Sequence, residues 1–293
     1  MIQANINDLI KKYNNFILDQ WGVLHDGRKK YEKVDEFIKI LKKNNKKIYL
    51  ISNSSQTNKN VIKETLEPIG FKLNDFNNII TSGEILLKIK NKKIKNEHGI
   101  YDILRKKYCY VISNKNDFYN LKEFNLEKTK ITRAKFILAM SIDSNFNENK
   151  IKNEIKKLIN YNYPMICTNP DKFVIDGNKN KKCFQVGYLA NLYKKNNGRV
   201  LYLGKPNRII FNAILDNFTN NDLKKSIMIG DSLETDIQGG NNSKIDTLFI
   251  FNGIHKKEFK NKMNTNEINR KLSKYKIYPN YFSYDIKSLI TNY

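Results

Sequence analysis

NNFILDQWGVL, residues 14–24, decides the fold class of this chain. Its run Phe16-Ile17-Leu18 is apolar at every position, as expected of a strand that is buried on both faces of a parallel sheet. Residues 31–45 then place apolar side chains at helical spacing, and a second apolar run follows at 47–53. A strand, a helix and a strand of these lengths predict a βαβ unit and therefore an α/β fold.

Further units of this kind occur late in the chain. Strand-like runs, the last of them followed by a helical segment, lie at 199–204, 226–231, 246–253 and 280–290. The stretch between them and the first units has strands and a helix of its own. We therefore predict a parallel-sheet core from residues 1–80 and 200–293, and an inserted α/β module at residues 81–199.

The composition argues against two classes of partner. The net charge is +24, but six of the 53 basic residues are Arg and the remaining Lys are scattered among Asn and Ile. Nucleic-acid sites combine Arg with aromatic residues on one face, so we predict no nucleic-acid partner. A membrane helix needs a run of about 18 apolar residues, and no apolar run in this sequence is that long. The first twenty residues lack a secretory signal pattern, so we expect a cytoplasmic protein without a membrane partner.

Polar residues follow the predicted strands at four places. These are Asp19, the pair Ser52-Asn53, Lys205 and the stretch GDSLETD at 230–236. Each feature is common by itself, because an Asp after a strand often caps a helix and a Ser-Asn pair often forms a turn. Open α/β sheets bind their ligands at the carboxyl ends of strands, so the four features together predict one active site.

These residue types suit attack on a phosphate. Asp19 and Asp231 provide the carboxylate oxygens that Mg²⁺ prefers. When the cation offsets the negative charge, Asp19 can attack phosphorus and form an aspartyl-phosphate. Ser52, Asn53 and Lys205 can hold the phosphoryl oxygens, on which charge is concentrated in the transition state. The predicted chemistry is therefore Mg²⁺-dependent and acts on a phosphorylated compound.

Four motifs resemble those of the haloacid dehalogenase (HAD) phosphatases: DQWGVLHDG (19–27), LISNSSQ (50–56), GKPN (204–207) and GDSLETDIQGG (230–240). Their order, and the long insertion between the second and the third, is similar to class IIA, the NagD-like branch. Three further matches support that branch: TSGE (81–84), TNPD (168–171) and FNGIHKKE (251–258). The resemblance spans most of the chain and implies a Rossmann-like core, an α/β cap formed by the insertion, and a Mg²⁺ ion.

The resemblance also implies roles for individual residues. Asp231 would ligate the metal together with Asp19, and the backbone carbonyl of Trp21 would add a further ligand. Asp236 would steady the metal site without touching the ion or through a water. A homodimer is a further expectation from the family.

The sequence departs from the family at Trp21. In the family's phosphatases the residue two positions after the nucleophile is an Asp, which protonates the leaving group and then activates water. Trp21 has no titratable group, and WGVLHDG resembles a distinct class IIA subgroup that lacks this acid. Acid–base help is worth about 10²–10⁴ in rate, so Trp21 weighs against efficient phosphatase activity. His25 could supply a proton if the loop curls back, or it could be a loop histidine exposed near the insertion.

The sequence indicates the substrate only by class. Asn169 and Asp171 of TNPD, like His25, are candidates for contact with the substrate, but TNPD could equally be a tight turn. The leading prediction is a hydrolase that acts on a small phosphorylated metabolite through an aspartyl-phosphate. The alternatives are a phosphoryl transferase and a catalytically weak HAD-fold protein that binds a phosphorylated ligand.

Overall fold

The computed structural model describes residues 1–94, 99–114, 119–143, 146–176, 181–260 and 263–291. Within them the strands are β1 (Ile2–Gln3), β2 (Asn15–Leu18), β3 (Lys47–Ser52), β4 (Asn78–Thr81), β5 (Tyr108–Ile112), β6 (Glu127–Lys128), β7 (Phe136–Ala139), β8 (Met165–Cys167), β9 (Phe173–Asp176), β10 (Lys181–Phe184), β11 (Val200–Tyr202), β12 (Ser226–Gly230), β13 (Asp246–Ile250) and β14 (Tyr281–Ser283).

The α-helices in the same residues are α1 (Ile6–Lys12), α2 (Val34–Lys43), α3 (Asn58–Val61), α4 (Ser82–Lys90), α5 (Ile100–Leu104), α6 (Tyr119–Glu123), α7 (Glu148–Ile159), α8 (Val186–Lys195), α9 (Arg208–Leu215), α10 (Asn220–Lys224), α11 (Gln238–Asn242), α12 (Thr265–Tyr275) and α13 (Ile286–Ile290). Short π-helical segments at Ile62–Leu66 and Leu233–Ile237 extend α3 and precede α11. None of the described helices combines the length and the apolar character that crossing a membrane requires.

The first sheet has seven strands in the order β1-β14-β13-β12-β2-β3-β4, and every pair is parallel. Strand β2 lies in the middle, where Ile17 is paired with Met228 on one side and with Tyr49 on the other. Side chains alternate between the faces of a strand, so Phe16 and Leu18 pack in one core cluster and Ile17 packs in another. The prediction of a strand buried on both faces is confirmed.

Helix α2 covers one face of this sheet. Val34, Phe37 and Leu41 recur at helical spacing, are buried, and join the cluster that contains Phe16 and Leu18. Burial of each of these large apolar side chains contributes about 1.5–3 kcal/mol to folding. The helix predicted in residues 31–45 is therefore stabilised by the burial of its apolar face against β2 and β3.

The segment between β4 and Lys205, here called the insert, forms a second sheet. Its five strands run in the order β11-β8-β7-β5-β6, again all parallel, and β9 and β10 form a separate antiparallel pair. Helices α7 and α8 pack on this sheet through a cluster that includes Ile151, Ile155 and Leu189. Two parallel sheets covered by helices confirm the α/β fold class.

One strand is placed differently from the prediction. The sequence predicts that residues 199–204 belong to the first sheet, but β11 pairs with β8 in the second, with Val200 opposite Met165 and Tyr202 opposite Cys167. Strand β11 is a half-buried edge strand of the second sheet, and an apolar run does not show which sheet a strand joins. The chain rejoins the packing of the first sheet in α9, where Ile210 lies in the same cluster as Ile17.

Buried hydrogen bonds and an ion pair link the insert to the loops of the first sheet. The Ser55 hydroxyl donates to the Met140 carbonyl at 2.5 Å, and the Thr168 hydroxyl donates to Ser55 Oγ at 2.8 Å. Lys172 Nζ lies 2.8 Å from Glu234 Oε1 nearer the surface. These contacts hold the insert over the carboxyl ends of β2, β3 and β12.

Candidate active site

Asp19 lies immediately after β2, at the carboxyl end of the first sheet. Its N–H donates to the Ile229 carbonyl at 2.9 Å, which extends the pairing with β12 by one residue, and its side chain is buried. Lys205 Nζ donates to Asp19 Oδ1 at 2.6 Å and lies 3.3 Å from the Ile51 carbonyl at the end of β3. Lys205 therefore reaches the predicted site although the strand before it belongs to the second sheet.

Two further carboxylates adjoin Asp19. Asp231 follows β12, and Asp236 lies one helical turn later, where its Oδ2 accepts from the Ser232 N–H at 3.0 Å. One carboxylate oxygen from each of Asp19, Asp231 and Asp236 lies within 4.8 Å of the other two. Lys205 Nζ is also 2.7 Å from Asp236 Oδ1, so one ammonium group serves a cluster of three carboxylates.

The charges in this cluster are unbalanced. Burial raises the pKa of Asp19 to about 7 although Lys205 opposes the shift, and burial with the nearby Asp19 and Asp236 raises the pKa of Asp231 well above its usual range. Burial alone would lower the pKa of Lys205, but the surrounding carboxylates raise it, so its ammonium stays charged. Three buried carboxylates with one cation are a donor set that fits a hard divalent ion such as Mg²⁺.

Two loops enclose Asp231. Its Oδ2 accepts from the Ile254 N–H at 2.7 Å, in the loop after β13. A Cβ atom at Gly253 or at Gly22 would collide with the Asp231 carboxylate, and Gly22 has φ +86°. Glycine at these positions lets both backbones approach the carboxylate closely.

Ser52 and Asn53 end β3 beside Asp19. Ser52 Oγ accepts from Gln20 Nε2 at 2.7 Å and from the Ser54 N–H at 3.1 Å, so its hydroxyl proton can point to a ligand. Asn53 Oδ1 accepts from the Lys205 N–H at 2.7 Å. The structure therefore brings together Ser52, Asn53 and Lys205 at Asp19, where the sequence predicted them.

Trp21 and His25 are placed very differently. Trp21 is partly exposed, lines the cavity at the site, and packs over Gly27. His25 is fully buried under this loop, with its ring 5.6 Å from that of Trp21, and does not line the cavity. Its Nδ1 accepts from the Gly27 N–H at 2.9 Å, and burial lowers its pKa to about 4.

The prediction that His25 contacts the substrate is therefore wrong, and so is its alternative of an exposed loop histidine. The loop after β2 does curl back, but it does so around His25 and turns the imidazole towards the core. A single histidine in a loop sequence gives no indication of which side of the loop it occupies.

TNPD forms a tight turn and also lies at the cavity, so its contact with a substrate stays a prediction. Asn169 Oδ1 accepts from the Asp171 N–H at 3.0 Å, which is a tight turn, yet both residues also line the cavity. Asp171 Oδ1 accepts from Asn53 Nδ2 at 2.8 Å, across the boundary between the insert and the first sheet. The turn therefore aims a carboxylate from the insert towards the residues around Asp19.

A cavity of about 810 Å³ lies between the two sheets. Small-molecule sites in proteins are about 300–1,000 Å³, so a small metabolite fits it. Asp19, Asp231 and Lys205 form its floor, and the insert contributes aromatic and basic side chains, namely Phe173, Tyr202, Lys172, Lys182 and Lys194.

Several site residues were missed in the sequence. Gln20 orients Ser52, Glu234 pairs with Lys172, and Ile254 with Gly253 holds Asp231. The stretch FNGIHKKE resembles the family, but its residue types do not indicate contact with Asp231. A backbone N–H that holds a carboxylate leaves no mark on residue type, so this contact needs the structure.

Two curated relatives match most of the chain. The 5'-nucleotidase YutF of Bacillus subtilis is 23% identical over 262 residues, which cover 85% of this chain and 91% of that protein. The 4-nitrophenylphosphatase of Schizosaccharomyces pombe is 25% identical over 264 residues, which cover 86% and 88%.

Solved structures share the fold over nearly the full length. A haloacid dehalogenase-like hydrolase from Brucella suis superimposes with a TM-score of 0.78 at 20% identity, covering 97% of this chain and 99% of that one. A putative NagD protein superimposes with a TM-score of 0.62 at 20% identity, covering 89% and 98%.

Two family models match the chain itself. The haloacid dehalogenase-like hydrolase model matches residues 16–127, and the HAD-hydrolase-like model matches residues 202–274. The first of these segments contains Asp19, Ser52 and Asn53, and the second contains Lys205 and the acidic stretch at 230–236. The subgroup suggested by WGVLHDG stays a prediction, but the family resemblance is confirmed: the chain belongs to the haloacid dehalogenase superfamily of hydrolases and has a NagD-like architecture.

Proposed function

We propose that this protein is a Mg²⁺-dependent phosphatase that hydrolyses a small phosphorylated metabolite through a phosphorylated Asp19. The observation that carries this proposal is the buried cluster at the end of β2, where Lys205 Nζ lies 2.6 Å from Asp19 Oδ1 and where carboxylate oxygens of Asp19, Asp231 and Asp236 lie within 4.8 Å of one another. The 5'-nucleotidase and the 4-nitrophenylphosphatase among its relatives act on phosphate esters, which supports the same reaction class.

The carboxylate cluster sets up the attack. Asp19 and Asp231, with the Trp21 carbonyl, would hold Mg²⁺, and the bound ion would neutralise charge between the phosphate and the carboxylates. Asp19 is held in place by Lys205 and by its backbone bond to Ile229. A fixed carboxylate at the floor of the cavity can therefore attack phosphorus without first losing conformational freedom.

The residues around Asp19 bind the transferred group. Ser52, Asn53 and Lys205 line the cavity together with Asp19, and their hydroxyl, amide and ammonium groups would donate to the phosphoryl oxygens. Preorganised donors of this kind stabilise the charge of the transition state. Asp236 pairs with Lys205 and so keeps the ammonium in the site when a substrate competes for it.

The insert would act as a cap, a role supported by the residues that it contributes to the lining of the cavity. It would contact the part of the substrate that leaves, so we assign substrate selection to residues 81–199 with the β11 strand added. A homodimer and a cytoplasmic location stay predictions from the sequence.

Trp21 favours a second candidate, a weakly catalytic protein that binds a phosphorylated ligand, because it removes the acid from the loop after β2.

Turnover of nitrophenyl phosphate tests the proposal. We expect phosphate release with Mg²⁺, loss of release after chelation, and a loss of about 10³-fold or more in Asp19→Asn. Asp26→Asn is the matched control, because Asp26 also lines the cavity but bonds to the backbone of its own loop, so its activity should stay within a few-fold of wild type. Tight binding of vanadate without turnover in wild type would instead favour the weakly catalytic candidate. Transfer to added alcohols in preference to water would favour a phosphoryl transferase.

A further inference from the structure

The loop after β2 does not provide a proton donor. Trp21 occupies the position at which the family's phosphatases have an acid, and His25 is buried below the loop with a lowered pKa. An alkoxide leaving group nevertheless needs a proton as its bond to phosphorus breaks. If the protein hydrolyses alkyl phosphates, the proton must come from another side of the cavity.

The geometry of phosphoryl transfer indicates which side. The attacking and leaving oxygens lie roughly in line on opposite sides of phosphorus. Asp19 attacks from the floor of the cavity, at the end of β2, so the leaving oxygen points towards the insert. A proton donor for that oxygen should therefore be carried by the insert.

Asp171 is a carboxylate at this place. It follows β8 of the second sheet, lines the same cavity as Asp19, and its Oδ1 lies 2.8 Å from Asn53 Nδ2. The Asn169 side chain fixes the turn that carries it, by accepting from its N–H at 3.0 Å. Asn53 itself accepts from the Lys205 N–H. Asn53 therefore links Asp171 to Lys205, whose ammonium group donates to Asp19.

We propose that Asp171, a residue of the insert, is the catalytic acid and base of this enzyme. It performs the proton transfers for which Trp21 is unsuited. The inference rests on the proposed phosphatase function. In the first step Asp19 Oδ forms a bond to phosphorus, the bond from phosphorus to the leaving oxygen breaks, and the Asp171 carboxyl proton passes to that oxygen, which leaves as an alcohol. In the second step the Asp171 carboxylate takes a proton from a water whose oxygen attacks phosphorus. The bond from phosphorus to Asp19 breaks, and phosphate leaves.

The protonation of Asp171 is compatible with this role. Burial raises its pKa to about 6, against the opposing charge of Lys205, with Asp236 adding to the rise. A donor that also serves as a base works best when its pKa lies near the working pH.

Other titratable residues that line the cavity are less suited. Asp26 is partly buried, but hydrogen bonds from the N–H groups of Lys29 and Arg28 lower its pKa, so it holds no proton to give. Glu234 is paired with Lys172. Burial lowers the pKa of His255, and its Nε2 already accepts from the Leu233 N–H at 3.4 Å.

The test compares leaving groups in Asp171→Asn. Asparagine keeps the shape of the side chain and an oxygen that can accept from Asn53, but it has no carboxyl proton. We expect kcat/KM for nitrophenyl phosphate, whose leaving group departs as a stable anion, to fall less than about 10-fold. For ethyl phosphate, which needs the proton, the fall should be about 10²–10⁴-fold. Phenyl phosphate should lie between the two.

Lys172→Met is the matched control, because it breaks the neighbouring link between the insert and the first sheet without removing an acid from the cavity. If Asp171 merely fastened the insert, both variants would slow all three substrates by a common factor, and that result would overturn the proposal. Asp171→Glu restores a carboxyl group and should recover part of the ethyl phosphate activity.

The rates of the wild-type enzyme on the three substrates provide a test that does not depend on the folding of any variant. With an acid in place these rates should depend weakly on the acidity of the leaving group, and a steep dependence would contradict the role of Asp171. Wild type that turns over none of the three substrates would refute the phosphatase proposal itself. Turnover of all three with an unchanged profile in Asp171→Asn would refute the inference alone.

Discussion

At the residue scale, the site is governed by an excess of buried negative charge. Asp19, Asp231 and Asp236 share one ammonium group, that of Lys205. Like charges in a buried place raise the free energy of the folded protein unless a cation compensates them. The cluster is therefore built for ion binding at some cost to the stability of the metal-free protein.

Asp231→Asn separates these two effects. We expect Mg²⁺ affinity, measured by calorimetry, to fall at least about 10-fold, because one of the two side chains proposed to touch the ion loses its charge. The same variant in chelator should unfold at an equal or higher temperature than wild type, since a like charge has been removed while an oxygen remains to accept from Ile254. Unchanged Mg²⁺ affinity would show that Asp231 is not a ligand.

The sequence was informative about residues whose chemistry follows a strand. Asp19 and Ser52 could be placed because each directly follows a buried apolar run, and the carboxyl ends of parallel strands meet at one edge. His25 could not be placed, because the side of the loop that a residue occupies depends on loop packing. The Ile254 N–H on Asp231 could not be predicted either, since every residue except Pro has one.

At the scale of elements, the loop after β2 does two things at once. It lays the Trp21 ring over Gly27 on the cavity side and encloses His25 on the core side, against Trp21 and Phe71. Burial lowers the pKa of His25 to about 4 from an ordinary value of 6.5. The loop is therefore folded around a neutral imidazole.

This gives a pH dependence of stability with a definite sign. Above about pH 6.5 His25 is neutral in both the folded and the unfolded chain, so its contribution to stability is fully present. As the pH falls from about 6.5 to about 4 the unfolded chain binds the proton more readily, and folding should lose up to about 3 kcal/mol. Urea unfolding in chelator measures this loss, and His25→Phe should reduce it by about that amount. A variant with the same pH dependence as wild type would show that His25 is not buried as a neutral group.

Elements also mark where prediction from sequence failed. The sequence predicts the strand before Lys205, β11, but places it in the wrong sheet. The reason is that β11 is as apolar as the strands of the first sheet and directly precedes the late strands of that sheet in the chain. Lys205 still reaches Asp19, since both sheets end at the same cavity. The predicted position of Lys205 beside Asp19 is therefore found although the strand assignment behind it was wrong, and its catalytic role stays a prediction.

At the scale of the whole molecule, Ser55 connects the two sheets. It donates to the Met140 carbonyl and accepts from the Thr168 hydroxyl, and all of these groups are buried. Breaking such a contact leaves buried polar groups without a partner, which costs about 1–3 kcal/mol per group. The connection therefore contributes to the position of the insert over Asp19.

Ser55→Ala should lower the free energy of unfolding by about 1–3 kcal/mol and raise KM, because the insert is held less firmly over the cavity. Ser54→Ala is the matched control. Its hydroxyl accepts from the Gln56 N–H in its own turn, so its effect on unfolding should stay within about 0.5 kcal/mol. Equal effects of the two variants in urea unfolding would show that Ser55 does not couple the two sheets.

The central claim is that Asp19 becomes phosphorylated during turnover. Acid quench of a single turnover with nitrophenyl phosphate and Mg²⁺, followed by borohydride reduction and peptide mass spectrometry, tests it most directly. We predict that the acyl phosphate is reduced to homoserine at position 19 in wild type, and that Asp19→Asn shows no modified residue. Turnover without modification at position 19, or with modification of another carboxylate, would contradict the account.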